Sequence, residues 1–420
     1  MQNSIPAHDD LPTQSLVKQA FVGLQMLFVA FGALVLVPLI VGLDSNTALL
    51  TAGVGTLLFQ LCTRRQVPIF LASSFAFIAP MQYGIATWGL AVTMGGLMGA
   101  GLVYIALSVL VKLKGAAILQ RVFPPVVVGP IIIIIGMGLA PLAVNMAIGK
   151  GGDGAQLYPY EQAVLVSMAT LITTLAVAVF TKGLMRLIPI MFGIAVGYVL
   201  ALTLGLVDFT AIGNAAWFSM PTLTTPEFKL EAILYLLPIA IAPAIEHVGG
   251  IMAISSVTGK DFLKKPGLHR TLLGDGIATS AASFLGGPPN TTYAEVTGAV
   301  MLTRNFNPTI MTWAACWAIA ISFCGKVGAF LSTIPTIVMG GIMMLVFGSI
   351  AVVGMSTLIK AQVNVSEPRN LCIISVVMTF GIGGMMLNVG EVSLKGISLC
   401  AIVAVIMNLI LPKGEQEPVI

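Results

Sequence analysis

The chain has 420 residues, of which 57% are hydrophobic and 9% charged, with a net charge of +4 and a mean hydropathy of +1.01. Soluble domains carry about 25% charged residues, so this chain lacks the polar atoms to cover a water-facing surface and reads as an α-helical membrane protein. Its basic residues are scattered, which excludes a nucleic-acid surface, and Cys62, Cys316, Cys324, Cys372 and Cys400 sit in apolar segments without metal or disulfide spacing, so neither metal nor cofactor is expected.

A polar head, Met1 to Leu16, lacks the pattern of a signal peptide. Hydropathy and chain breakers then place spans near 17–42, 46–62, 67–84, 87–111, 118–142, 161–181 and 185–206. A second set falls near 229–256, 269–286, 290–302, 307–325, 333–358, 368–384 and 393–411, followed by a short polar tail from Pro412. Fourteen spans put both termini on one side. With that side cytoplasmic, 16 of the 20 Lys and Arg fall inside, Lys413 among them, and Lys150, Lys229, Lys326 and Lys395 fall outside. The bias is the one that cytoplasmic loops carry, and it supports both count and orientation.

Seven spans followed by seven imply a duplication with inverted topology, since an odd number of crossings flips the second copy. Val122-Phe-Pro124, Val127 and Gly129 recur as Thr333-Ile-Pro335, Val338 and Gly340, at the fifth span of each half. The third span of each half is unlike the rest. Pro68 to Pro80 holds the paired serines Ser73 and Ser74, and Gly286-Gly-Pro-Pro-Asn290-Thr-Thr-Tyr293 leaves only a short helix-compatible stretch before Arg304. Such a stretch covers about 16 Å, half a bilayer. Exposed backbone cannot face lipid, so these discontinuous spans are expected to carry short extended pieces packed inside the protein, leading into half-helices. Their N-termini would present free N–H groups and a positive dipole end to a ligand.

Of the sixteen acidic residues most lie in loops or tails, but Glu246 falls midway through the eighth span and Glu295 at the start of the tenth-span half-helix. An acid at membrane depth is costly and marks function. Desolvation disfavours the charged carboxyl, which makes both residues candidates for proton exchange. Structural readings stand beside this one: Glu246 could pair with His247, and Glu295 could cap its half-helix. His247 serves either as a proton relay or as a polar side chain facing another helix, because helical neighbours point in different directions. Asp275, one turn inside the ninth span, is expected to make structural hydrogen bonds.

Several segments resemble the nucleobase–ascorbate transporter family, and most nearly its bacterial uracil permeases. They are Phe31-Gly-Ala33-x-Val-Leu-Val-Pro38, Ser73-Ser-Phe-Ala-Phe-Ile78, Glu246-His-Val-Gly249, Pro266-Gly-Leu-His-Arg270, Pro289-Asn-Thr-Thr-Tyr293, and Glu295-Val-Thr-Gly298 with Thr303-Arg304. The resemblance implies an all-α polytopic protein with a core domain (17–114 and 229–325) and a gate domain (115–228 and 326–412), dimeric through the gates. It further implies a symporter of nucleobase and proton in the bacterial cytoplasmic membrane, surrounded by lipid. Glu246 and Glu295 would bond the ring N–H groups and carry the proton with His247. Backbone near Phe75 and Ala294 would meet the carbonyls, and Phe75, Tyr293 and Phe347 would wall the base. Ser74 and Ala33 complete the expected binding set. The sequence departs from the family pattern at Ala294 (Gly in relatives), Met26 and Gly250 (His in relatives) and Val296 (Asn in relatives), which leaves coupling to the glutamates. A xanthine- or urate-type symporter and an anion exchanger of the same fold are the alternatives. No HExxH, GxSxG or paired-Asp constellation points to an enzyme.

Overall fold

The structure, a computed structural model, describes residues 15–151, 154–183, 185–389 and 392–412; Lys413, most of the polar head and most of the tail lie outside the described residues. Ser15 opens the first helix, α1 (Leu16–Val41), by accepting the Lys18 N–H, and Gly42 closes it in the left-handed conformation that glycine adopts freely. Asp44 caps α2 (Ser45–Cys62) by accepting the Asn46 N–H at 3.0 Å. The third expected span then breaks, giving strand β1 (Leu71–Ser73), a single 3-10 turn (Phe75–Phe77) and α3 (Ile78–Trp88). There follow α4 (Leu90–Lys114), α5 (Ala117–Val122), α6 (Pro125–Ala147), α7 (Tyr160–Phe180), α8 (Pro189–Thr203) and the short α9 (Thr210–Asn214).

The second half contains α10 (Leu230–Leu236), α11 (Ile241–Thr258) and α12 (Leu268–Phe284), then strand β2 (Asn290–Thr292) and α13 (Ala294–Thr303). Next come α14 (Thr309–Ser322), α15 (Gly325–Ser332), α16 (Thr336–Lys360) and α17 (Pro368–Ile382), then the hairpin β3 (Met386–Val389) and β4 (Val392–Lys395), and finally α18 (Ile397–Ile410). Among the described residues, six helical stretches are long and apolar enough to cross a membrane, Leu230–Thr258 being one, while α8, α14, α17 and α18 are shorter apolar helices.

Three expected elements differ. The span read as 118–142 starts at Pro125, because Pro124 is extended and a proline at the first helical position is favoured there. The span read as 229–256 is interrupted by a 3-10 turn, Leu237–Ala240, where Pro238 lacks the N–H that an α-helix needs. The last span begins at Ile397, since residues from Val392 to Lys395 pair with β3 in a hairpin.

The helices pack in two groups. In one, α12 lies against α4 and α2, and α14 against α2 and α1; in the other, α16 lies against α6 and α7, and α17 and α18 against α6. In a membrane, association depends on close backbone approach more than on the hydrophobic effect. Accordingly, Gly129 of α6 and Gly354 of α16 face one another, so that a Cβ built at Gly354 would sit 2.7 Å from the Gly129 carbonyl oxygen. A Cβ at Gly136 would collide with the Phe347 carbonyl and come within 2.6 Å of the Ala351 nitrogen. The start of α16, after Pro335, repeats the start of α6, after Pro124, each preceded by a short helix.

Candidate functional site

The two broken segments meet. Strands β1 and β2 run antiparallel, with Leu71 opposite Thr292, Ala72 opposite Thr291 and Ser73 opposite Asn290, all buried. Ladder bonds continue beyond the strands, from Ser74 N–H to the Pro289 carbonyl at 2.9 Å and from Tyr293 N–H to the Phe70 carbonyl at 3.1 Å. Buried backbone has to be paired, and side chains of neighbouring helices take part. The Thr56 hydroxyl accepts the Leu71 N–H at 3.0 Å. Asn290 Nδ2 donates to the Thr51 carbonyl at 2.8 Å, and Thr279 Oγ1 donates to the Asn290 carbonyl at 2.7 Å. Gly286, at φ +84°, turns the chain into β2 where a side chain would be strained.

The crossing directs the start of α13, and the 3-10 turn leading into α3, toward one place. Glu295 lies in the first turn of α13 with its carboxylate against its own backbone N–H. Glu246 lies on α11, which packs against α13 and β2. Both glutamates are solvent-exposed. From Glu246 an exposed stripe continues along α11 through Gly249, Ala253 and Ser256, and α13 carries Glu295, half-buried Gly298 and exposed Leu302 at the same helical spacing. Each stripe ends beside basic residues, Lys260 and Arg304.

The other expected residues fall around this centre in different ways. Phe75 is half-buried and packs against both large apolar clusters. Tyr293 is 5% exposed, with its hydroxyl beside the backbone N–H of fully buried Ala33. Phe347 is buried on α16, in a cluster against which Phe75 packs. Ser74 is buried, and its hydroxyl has no hydrogen-bond partner, as is true of Ser73, Thr292 and Thr297. Ala294 opens α13, but its side chain lies outside the described residues.

His247 differs from Glu246 in direction. It is wholly buried, with Nδ1 3.1 Å from Oδ2 of equally buried Asp275, and its ring meets Phe59 edge-on. The histidine thus turns away from the exposed stripe, a pairing that sequence reasoning missed because nothing in the local pattern links α11 to α12. The hydroxyls of Thr291 and Thr292 were missed too, although the expected extended piece contained them.

A cavity of about 370 Å³ lies elsewhere, between α3 and α10 on one side and α6, α17 and the start of α18 on the other. Its walls include Ala79, Tyr83, Gly138, Tyr235 and Ile397. Tyr83, Trp88 and Tyr235 cluster there, with ring centroids 4.9 to 5.7 Å apart. Among the described residues no group of His, Cys, Asp and Glu could hold a metal ion.

Membrane-length helices packed around two broken, antiparallel-paired segments describe a multi-pass membrane protein. Residues 17–390 match the profile of the permease family designated Xan_ur_permease, and the chain belongs to that family. It is 80% identical over 406 residues to the "Probable uracil permease" of Pasteurella multocida, covering 97% of this chain and 96% of that one. It is 78% identical over 417 residues to the "Probable uracil permease" of Haemophilus influenzae, covering 99% and 100%. Among solved structures, the transmembrane domain of the cyanobacterial bicarbonate transporter BicA shares the fold, with a TM-score of 0.66 at 16% identity over 95% of this chain and 98% of that one. These are permeases and transporters, and the chain is a transport protein rather than an enzyme.

Proposed function

We propose that this protein imports uracil or a close pyrimidine base across the bacterial cytoplasmic membrane together with protons, by alternating access. The observation that supports the reading is that Glu246 lies on α11, which packs against β2 and α13, and Glu295 lies in the first turn of α13, each on an exposed face of its helix. An imide ring offers N–H donors flanked by carbonyl acceptors, which carboxylates and half-helix N–H groups complement. An acid that accepts the base's hydrogen bonds while gaining and losing a proton ties the two fluxes together. The names borne by close relatives support uracil as the base.

In this reading fourteen spans form two inverted seven-span repeats. The core (17–114 and 229–325) holds the base between α3 and α13, and the gate (115–228 and 326–412) slides against it and joins two copies into a dimer. Phe75, Tyr293 and Phe347 wall the ring, with Ser74, Ala33 and the backbone at Ala294 completing the site. Both termini and the basic end are cytoplasmic, so the exposed stripes correspond to an inward-facing state. The BicA-like fold raises anion exchange as a second reading, but two carboxylates at the site would repel an anion.

The test is uptake of labelled uracil into proteoliposomes with and without an inward proton gradient, in competition with xanthine and bicarbonate. Gradient-stimulated uptake inhibited by uracil alone is expected. Equal competition by xanthine would overturn the pyrimidine assignment, and uptake indifferent to the gradient would overturn the coupling.

A further inference from the structure

The cavity between the two helix groups lies at the opposite end from the open stripes, on the Trp88 side of the glutamates. One of its walls is joined across the group boundary by a buried hydrogen bond: Ser398 Oγ, in the first turn of α18, donates to the backbone carbonyl of Tyr235 at 2.7 Å. Ser398 is completely buried, and Tyr235 is 4% exposed. That carbonyl is available because the helix fails there. Tyr235 stands one residue before the end of α10, and the chain runs into the 3-10 turn that contains Pro238. Regular α-helical bonding resumes only in α11, so the last carbonyls of α10 need partners from outside. The start of α18 packs on that same turn. On the other side of Tyr235 its ring closes onto Tyr83 and Trp88.

We propose that the Ser398–Tyr235 bond is the latch of the outer gate. It holds the helix groups together on the outer side while the inner side is open, and the cavity beside it is the collapsed outer half of the solute path. Outward opening must separate α18 from the α10–α11 break, and so must break this bond and pull the Tyr83–Trp88–Tyr235 cluster away from Ile134, Leu139 and Ile397. Once separated, the Tyr235 carbonyl and the Ser398 hydroxyl face a widening, wet path, where water replaces the lost partner. The bond therefore favours the inward-open state selectively, which is the condition for a contact to shift a conformational equilibrium. The latch goes beyond the transported solute, and it rests on the proposed orientation only for which face is called outer.

The experiment is a labelling rate. Gly138 lines the cavity, and a Cβ built there meets nothing within 4 Å, so Gly138→Cys places a thiol in the path without a clash. A membrane-impermeant maleimide is applied to right-side-out and to inside-out vesicles, and peptide mass spectrometry reads residue 138 separately from the native cysteines. Adding Ser398→Ala removes the donor and should speed labelling from the outer face about fivefold, the population shift expected for one net hydrogen bond. Ser398→Thr keeps the hydroxyl and should restore the slow rate. Cys400, fully buried two residues along α18, reports general loosening and should stay unlabelled. Equal labelling rates with and without the Ser398→Ala substitution would overturn the latch, as would acceleration accompanied by labelling of Cys400. Acceleration seen only in inside-out vesicles would uphold the latch and overturn the orientation. None of these readouts requires uracil, so a wrong substrate assignment would leave them intact.

Discussion

His247 and Asp275 meet in a fully buried contact, Nδ1 to Oδ2 at 3.1 Å, and it joins α11 to α12 on a different face of α11 from the exposed stripe that carries Glu246. The contact fixes the rotation of α11, and with it the direction in which Glu246 points. Removing one partner leaves the other buried without compensation, at a cost of about 1–3 kcal/mol. His247→Ala and Asp275→Ala should each destabilise the protein by that amount, and the double variant by clearly less than the sum. Unfolding in mixed micelles, analysed as a double-mutant cycle, measures this. Strict additivity would mean that the contact contributes no coupling.

In the proposed mechanism the two glutamates have different roles. Glu246→Gln keeps the shape and an acceptor oxygen but cannot titrate. It should abolish gradient-driven accumulation of uracil while leaving binding or exchange measurable. Glu295→Ala, which removes a group at the head of α13, should lose equilibrium binding as well. Proteoliposome uptake beside a binding isotherm separates the two, and wild-type accumulation by Glu246→Gln would move the coupling to another group.

Asn290 ties β2 to α2 through its bond to the Thr51 carbonyl. Its loss removes a buried second bond to a carbonyl that stays paired within α2, at about 0.5–1.5 kcal/mol, and loosens the strand pair that aims α13. Asn290→Ala should therefore weaken uracil binding by about tenfold or more, which corresponds to about 1.4 kcal/mol. An unchanged isotherm would show that the crossing keeps its shape without this anchor.

Two nearby glycines on α6 make a paired test of packing. Gly136 has no room for a side chain between Phe347 and Ala351, whereas Gly138 opens on the cavity. Gly136→Ala should cost about 1–3 kcal/mol through overpacking. Gly138→Ala should be neutral or stabilising by up to about 1 kcal/mol through helix propensity. Unfolding midpoints of the two variants give the comparison, and a Gly136→Ala protein as stable as its neighbour would contradict the close approach of α6 and α16.

Much of this arrangement is legible in the sequence because membrane burial forces backbone to declare itself. Gly286-Gly-Pro-Pro289 cannot continue a helix, so an extended piece and a half-length helix have to follow, and β2 and α13 are those. The isolated acids Glu246 and Glu295 stand out in the sequence by the cost of an acid at membrane depth, and the structure puts them on α11 and at the head of α13. What is not legible depends on partners far along the chain. Nothing near His247 names Asp275. Nothing near Val392 tells a strand from the first turn of a span, because apolar residues serve both and the pairing with β3 decides. The break at Pro238 is missed in the sequence, where one span covers 229–256, and its use by Ser398 is hidden too, since a carbonyl carries no sequence signature.

The β1–β2 ladder also bears on how the protein is made. Leu71, Ala72 and Ser73 emerge from the ribosome long before Thr292, Thr291 and Asn290, the residues whose backbone completes theirs. Lipid offers no substitute for those bonds. During synthesis the Thr56 hydroxyl is a nearby provisional partner for Leu71, and the rest of β1 has to wait in a sheltered or hydrated place at the insertion machinery. The proposed binding site is consequently completed only once β2 has been made, after α1 to α12. A nascent chain halted before Asn290 would already hold α1 to α12, yet it would have no place to put a solute.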